Sequence, residues 1–163
     1  MDDYIREILL SVDDDIECEW PNSFNREDAL SRVRSIQPEI ESVLNCKLAL
    51  DSTIQDASYF ASLLQWKHVP ADPNLYTAPN VKRAGMNYAI IDVSFSSFGD
   101  LVTIGSSVES KDQYPTEIIN TIIELLKEND FIYISENDLN EEYCGNNPNF
   151  SGATWGERYF SHM

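Results

Sequence analysis

The stretch NYAIIDVSFSSFGDLVTIG, residues 87–105, constrains the fold of this chain more than any other segment. Ala89, Ile91, Val93 and Phe95 alternate with Ile90, Asp92, Ser94 and Ser96, so a strand here carries one apolar face and one mostly polar face. SSFGD then turns the chain, with Gly99 the residue expected at positive φ, and LVTIGSSV returns as the second arm of a hairpin. A bulge at Gly99 would shift the pairing by one residue, so the sequence leaves the register open. A hairpin of this kind must have its apolar face covered, and the rest of the chain has to supply the cover.

Three helical patterns are available for that purpose. Tyr4, Ile5, Ile8, Leu9 and Val12 recur at helical spacing behind Asp2 and Asp3, which suit a helix N-terminus, and the acids Asp13, Asp14 and Asp15 end the pattern. Asn25 caps a second helix with Asp28 in its first turn and Leu30, Val33, Ile40, Val43 and Leu44 along its stripe. Pro38 is expected to split it into pieces at 25–36 and 38–46, because proline disfavours helical backbone at Gln37. In PTEIINTIIELLKEND, Pro115 suits the first turn, and Ile118, Ile119, Ile122, Leu125 and Leu126 form one apolar face.

Residues 56–69 are ambiguous: the first half could continue a helical turn, while 63–68 read as a strand. Residues 70–85, rich in proline and ending near Lys82 and Arg83, read as a long loop, either a functional flap or an edge wrapping. FIYI, 131–134, reads as a short strand, and Ser135 with Asp138 opens a short helix over DLNEEY that stops near Gly145. At the end of the chain, Thr154 and Glu157 form a capping box, and Trp155 and Tyr159 share a helix face. Those rings, with Arg158, pin the tail either to the body or to a partner. The element order predicts one α+β domain over 1–163, a mainly antiparallel sheet with helices packed on one face.

Charge narrows the function classes. The formal net charge is -17, and the acidic excess gathers in the first twenty residues and beyond residue 108. Such a field repels phosphate backbones and anionic headgroups, so neither nucleic acid nor a membrane is expected as a ligand. Cys18, Cys46 and Cys144 are an odd set without a C-x-x-C pair, which argues against both a disulfide framework and a zinc ribbon and fits a reduced, cytoplasmic chain. The start, MDDYIREILL, lacks the pattern of a secretory signal, and no apolar run is long enough to span a bilayer.

Reaction machinery is not apparent. The sequence has no P-loop, no G-x-G-x-x-G and no nucleophile elbow, and its histidines, His68 and His162, sit in unpromising contexts. The runs Asp13–Asp15 and Glu136, Asp138, Glu141 and Glu142 lack the spacing of a calcium loop and the soft ligands of a zinc site, so no metal or cofactor is expected. The polar sheet face of Asp92, Ser94, Ser96 and Thr103 offers a possible enzyme or small-ligand surface.

The alternative is recognition of a protein. Asp13, Asp14, Asp15, Glu17 and Glu19 lead into Trp20, and Glu136, Asp138, Glu141 and Glu142 lead into Tyr143. Carboxylates steer the approach of a cationic surface while rings supply a desolvated anchor, so these residues are candidates for partner binding. A DNA mimic, whose acids would be spaced like phosphates, is a third reading.

The segments IQDASYFASL (54–63), FGDLVTIGSS (98–107) and TWGERYF (154–160) resemble the small acidic α+β immunity proteins of bacterial toxin-immunity systems. The resemblance implies a non-enzymatic cytoplasmic inhibitor that binds a cognate, basic toxin domain and blocks its active site or a nearby exosite. It names no toxin and carries over no functional residue.

Overall fold

A computed structural model describes residues 1–54, 57–69, 86–105 and 114–161, without the side chains of 69 and 86–88. The long loop 70–85 with Lys82 and Arg83, and His162, lie outside the described residues. The elements run α1 (Asp3–Ser11), α2 (Arg26–Leu44), β1 (Ala49–Asp51), β2 (Tyr59–Val69), β3 (Met86–Ser96), β4 (Leu101–Gly105), α3 (Thr116–Glu128), β5 (Ile132–Tyr133), α4 (Glu136–Leu139) and α5 (Trp155–Phe160), with a 3-10 turn at Pro148–Phe150 before α5. The fold is α+β, and the sheet is mostly antiparallel: strands lie in the order β1-β2-β3-β4-β5, and only the β4–β5 pair is parallel.

The hairpin forms where alternation places it. Phe95 lies opposite Val102 and Val93 opposite Ile104, and the Phe98 carbonyl accepts from the Leu101 N–H across a turn in which Gly99 and Asp100 both have positive φ. Two consecutive positive φ values match the twist of the flanking strands. Gly99 is required for a second reason, since a Cβ there would collide with the Val12 side chain at the end of α1.

Strand β2 begins at Tyr59, so the ambiguous stretch is strand from there on, while residue 56 lies outside the described residues. Its long pairing with β3, from Tyr59 opposite Ser96 to Val69 opposite Met86, outweighs any local helical preference there. Helix α2 corrects the expected break. It runs unbroken through Pro38, whose ring points to solvent, while Leu30, Val33, Ile36, Ile40 and Leu44 bury one continuous stripe. Solvent can hydrate the carbonyl that proline leaves unpaired, and burial of the stripe holds the axis together. The short helix after Ser135 stops at Leu139 rather than reaching Tyr143, because the next residues pair elsewhere: Tyr143 N–H donates to the Ala153 carbonyl and Glu142 bridges to Thr154.

Alternation along the strands separates two cores. Leu63, Ile91, Val93, Phe95 and Val102 meet α2 and α3, including Ile40, Ile122 and Leu126. Leu101, next to Val102 and therefore on the other side of β4, joins Leu9, Phe98, Ile134, Leu139, Tyr143, Phe150, Trp155 and Tyr159 in the second. The two long helices thus share one sheet face, while α1, α4 and α5 gather around the β3–β4 turn on the opposite side, so helices cover both sides rather than the single face expected.

Candidate functional site

The acidic segment after α1 is shaped from within. The Asp14 carboxylate accepts from the Ile16 and Glu17 N–H groups, both at 2.9 Å, and these bonds hold its pKa below the usual carboxylate range. The tight turn that results aims the carbonyls of Asp14, Glu17 and Cys18 at one point. Arg158 occupies that point. Its side chain is 0% exposed, its Nε donates to Asp13 Oδ1 at 2.8 Å, and its terminal nitrogens donate to all three carbonyls at 3.1 Å. The guanidinium also lies 4.2 Å from the Phe98 ring centroid and 4.8 Å from that of Phe150. A buried charge needs a full set of partners, and this one has them.

The second acidic segment closes on the first. Tyr143 O–H donates to Asp13 Oδ2, and the Asn146 N–H reaches the same oxygen at 3.2 Å. Asn147, itself buried, donates to the Asp14 carbonyl at 2.9 Å and its backbone N–H donates to the Tyr143 hydroxyl at 2.8 Å. Gly145 permits this approach, because a Cβ would strike Asp13 and Tyr143. Burial, with the acceptor Asp13, pushes the Tyr143 hydroxyl up to about 12. Tyr159 O–H satisfies the Leu9 carbonyl in the last turn of α1 at 2.6 Å, and the Trp155 and Tyr159 rings stack at 5.8 Å.

The candidate partner-binding residues therefore divide. Asp13 and Tyr143 are corrected from surface to interior: Asp13 neutralises Arg158 and Tyr143, 6% exposed, packs edge-on against Trp155. Asp14 is a turn-forming residue and Glu17 lends its carbonyl to Arg158. Asp138 and Glu141 face the Met1 amine, and Glu141 also faces Arg6 at 3.6 Å. Asp15, Trp20, Glu136 and Glu142 are exposed and Glu19 is half-exposed. Ile16, which the sequence reading passed over, is 75% exposed, and Trp20 is 42% exposed. The aromatic tail belongs to the core.

A cleft of about 350 Å³ continues from this loop. Pro21, directly after Trp20, and Gly99, against the Val12 side chain, both line it. Phe24, Phe60, Phe95 and Phe131 form a row with neighbouring centroids 5.1, 6.5 and 5.1 Å apart. Arg32 crosses the end of the row 4.5 Å from the Phe131 centroid, paired with Asp100 and donating to the carbonyls of Asn129 and Asp130.

The polar sheet face is less wet than its composition implies. Asp51, Ser62, Ser94 and Thr103 stand in register across four strands. Ser62 and Ser94 are buried and hydrogen-bonded to each other at 2.7 Å, and Ser94 Oγ donates to Asp92 Oδ1 at 2.8 Å. Burial raises the Asp92 pKa against the opposing effect of those hydroxyls. Ser96 is also buried, donating to the Ser58 carbonyl.

Among the described residues no group of three His, Cys, Asp or Glu side chains converges as a metal site, all three cysteines are free, and no helix is long and apolar enough to cross a membrane. No family model, curated protein or solved structure matches the chain.

Proposed function

We propose that this chain is a non-enzymatic protein-binding inhibitor of the immunity type, acting in the bacterial cytoplasm on a basic toxin domain. The observation that carries the reading is the construction of loop 13–20. Arg158 fixes its backbone from inside while Asp15, Ile16, Glu19 and Trp20 remain on the outside. A loop already ordered loses little entropy on association. Ile16 and Trp20 supply an apolar anchor, and the surrounding carboxylates speed encounter with a cationic surface. The net charge of -17 favours a basic protein over nucleic acid or an anionic membrane.

The test is co-expression with basic domains encoded by neighbouring genes, followed by affinity measurement on purified pairs. The wild type restores growth, and Trp20→Ala weakens binding by about 30-fold while leaving the thermal midpoint unchanged. Glu19→Lys slows association and flattens its salt dependence. Unchanged affinity in both variants, or failure of the wild type to protect, refutes the proposal.

A second reading uses the Ser62–Ser94–Asp92 chain as an enzyme or small-ligand site. The raised Asp92 pKa is the observation that favours it. Turnover by the purified chain that disappears in Asp92→Asn would replace the first reading with this one.

A further inference from the structure

Strand β5 ends the sheet, and its outer edge is open. In the parallel pair with β4, the Ile132 and Ile134 N–H groups donate to the carbonyls of Asp100 and Val102 at 3.0 and 2.9 Å. Such pairing engages alternate residues, so the Tyr133 N–H and carbonyl point away from β4. Neither has a hydrogen-bond partner among the described residues. An unpaired strand edge is a template for another chain unless something covers it.

A groove of about 600 Å³ runs along that edge, and Phe131, Ile132 and Tyr133 all line it. Successive residues of an extended chain point to opposite faces, so a groove touched by three in a row follows the edge rather than a face. Its walls come from the two helix layers, with Tyr4 and Ile5 of α1 on one side and Lys127 in the last turn of α3 on the other. Tyr4 is 70% exposed, which leaves its ring available to a guest.

The rim sets the chemistry of that guest. Asp130 and Glu136 are exposed, and neither belongs to an ion pair among the described residues. The cations near the groove already have carboxylates of their own: Lys127 meets Glu124 at 2.8 Å, and the Met1 amine faces Asp138 at 3.4 Å and Glu141. Burial, with the carboxylates of Asp138 and Glu136 nearby, pushes the Tyr133 hydroxyl pKa up, which places both acids beside the strand. The field along the edge is therefore negative, and the net charge of -17 opposes pairing with a second copy of the chain.

We infer that the β5 edge receives an extended segment of the basic partner as a sixth strand. The inference rests on the protein-binding reading, and it adds a main-chain contact to the anchor that Ile16 and Trp20 provide. The backbone of the segment bonds Tyr133 across the edge, its basic side chains meet Asp130 and Glu136, and its apolar ones lie against Tyr4 and Ile5. From Phe131 to Ser135 the edge extends about 13 Å at about 3.3 Å per residue, room for about four residues of guest.

Amide shifts and hydrogen exchange of the full chain, titrated with the acetylated and amidated peptide Lys-Val-Lys-Val-Lys, test the inference. The Tyr133 amide exchanges fast in the free chain, and the peptide shifts the Tyr133 and Ser135 amides saturably and slows exchange at Tyr133. The same peptide methylated at every backbone nitrogen keeps its charge, loses its donors and does not saturate. Asp130→Asn combined with Glu136→Gln weakens the unmodified peptide about fivefold. Equal saturation by the methylated peptide would reduce the groove to charge attraction and overturn the sixth strand. A Tyr133 amide already slow in the dilute free chain would also overturn it, as would a dimer in sedimentation that protects Tyr133 at higher concentration. The two proposals fail separately. A basic partner that binds and leaves Tyr133 exchange fast removes the edge contact and keeps the inhibitor. Peptide saturation in a chain that binds no basic partner keeps a peptide-binding edge and removes the inhibitor on which the choice of occupant rests.

Discussion

The two cores of this molecule are built on different principles. The one under α2 and α3 is a conventional apolar layer in which Leu63, Val93, Ile40 and Ile122 interlock. The one around α1 and α5 is organised by a charged group, Arg158, that ties together a loop near the start of the chain and a helix near its end. The first is held by area and shape, so damage to it scales with the volume removed. The second depends on one side chain making four hydrogen bonds at once, so damage to it is concentrated.

The sharpest way to break that contrast is to remove the guanidinium. Arg158→Met takes the buried guanidinium away from the Asp13 carboxylate and the three loop carbonyls, and is expected to cost about 3–5 kcal/mol by urea unfolding. Adding Asp13→Asn to Arg158→Met should recover only a minor part, because the loop carbonyls still lack the guanidinium and those of Asp14 and Glu17 keep only the Asn147 amide. Full recovery would mean that the ion pair alone, rather than the carbonyl set, organises this core. Leu63→Ala in the apolar core should cost about 3 kcal/mol with the acidic loop still protected from hydrogen exchange, whereas Arg158→Met should expose that loop first. Equal loss of protection in both variants would show that the two cores act as one.

A smaller effect is expected from Tyr143→Phe. It removes the donor to Asp13 and the acceptor for the Asn147 N–H, at about 1–2 kcal/mol, without a change in apolar volume. The smallest lies on the edge of the apolar core. The hydrogen bond from Lys47 to Glu41, with those from the Leu48 N–H and Gln37, lowers the Glu41 pKa from 4.5 to about 2. A depressed carboxylate pKa contributes stability above the unfolded value that is lost as the pH falls through the folded one. Glu41→Gln should therefore unfold at a lower urea midpoint at neutral pH, and its deficit should shrink between pH 4.5 and about 2. Parallel pH profiles for the two proteins would show that the carboxylate is not linked to folding.

The same division explains which features could be read from residues. Alternation in β3 and the apolar stripes of α2 and α3 gave their burial directly, since a periodicity of two or of 3.6 reports a face. The break expected at Pro38 failed because burial along the whole stripe outweighs one lost hydrogen bond on the solvent side. The acidic segments were legible as charge but their orientation was not, because charge count carries no information about which carboxylate turns inward. Asp13 and Asp15 are two positions apart, and only the tertiary meeting with Arg158 distinguishes them. One signal was available: an arginine set among Trp155, Tyr159 and Phe160 needs an acidic partner if those rings are core. The 3-10 turn at Pro148–Phe150 had no such signal, since it acquires its meaning from residues far away in the chain.

The bond from Arg158 to Asp13 spans 145 residues. During synthesis on a ribosome, loop 13–20 must leave the exit tunnel long before its fastener is even translated. The carbonyls of Asp14, Glu17 and Cys18 stay hydrated through that interval, and the face carrying Ile16 and Trp20 takes its final form only after residue 158 has emerged. Nascent chains that stall short of residue 158 would thus present no ordered version of this face.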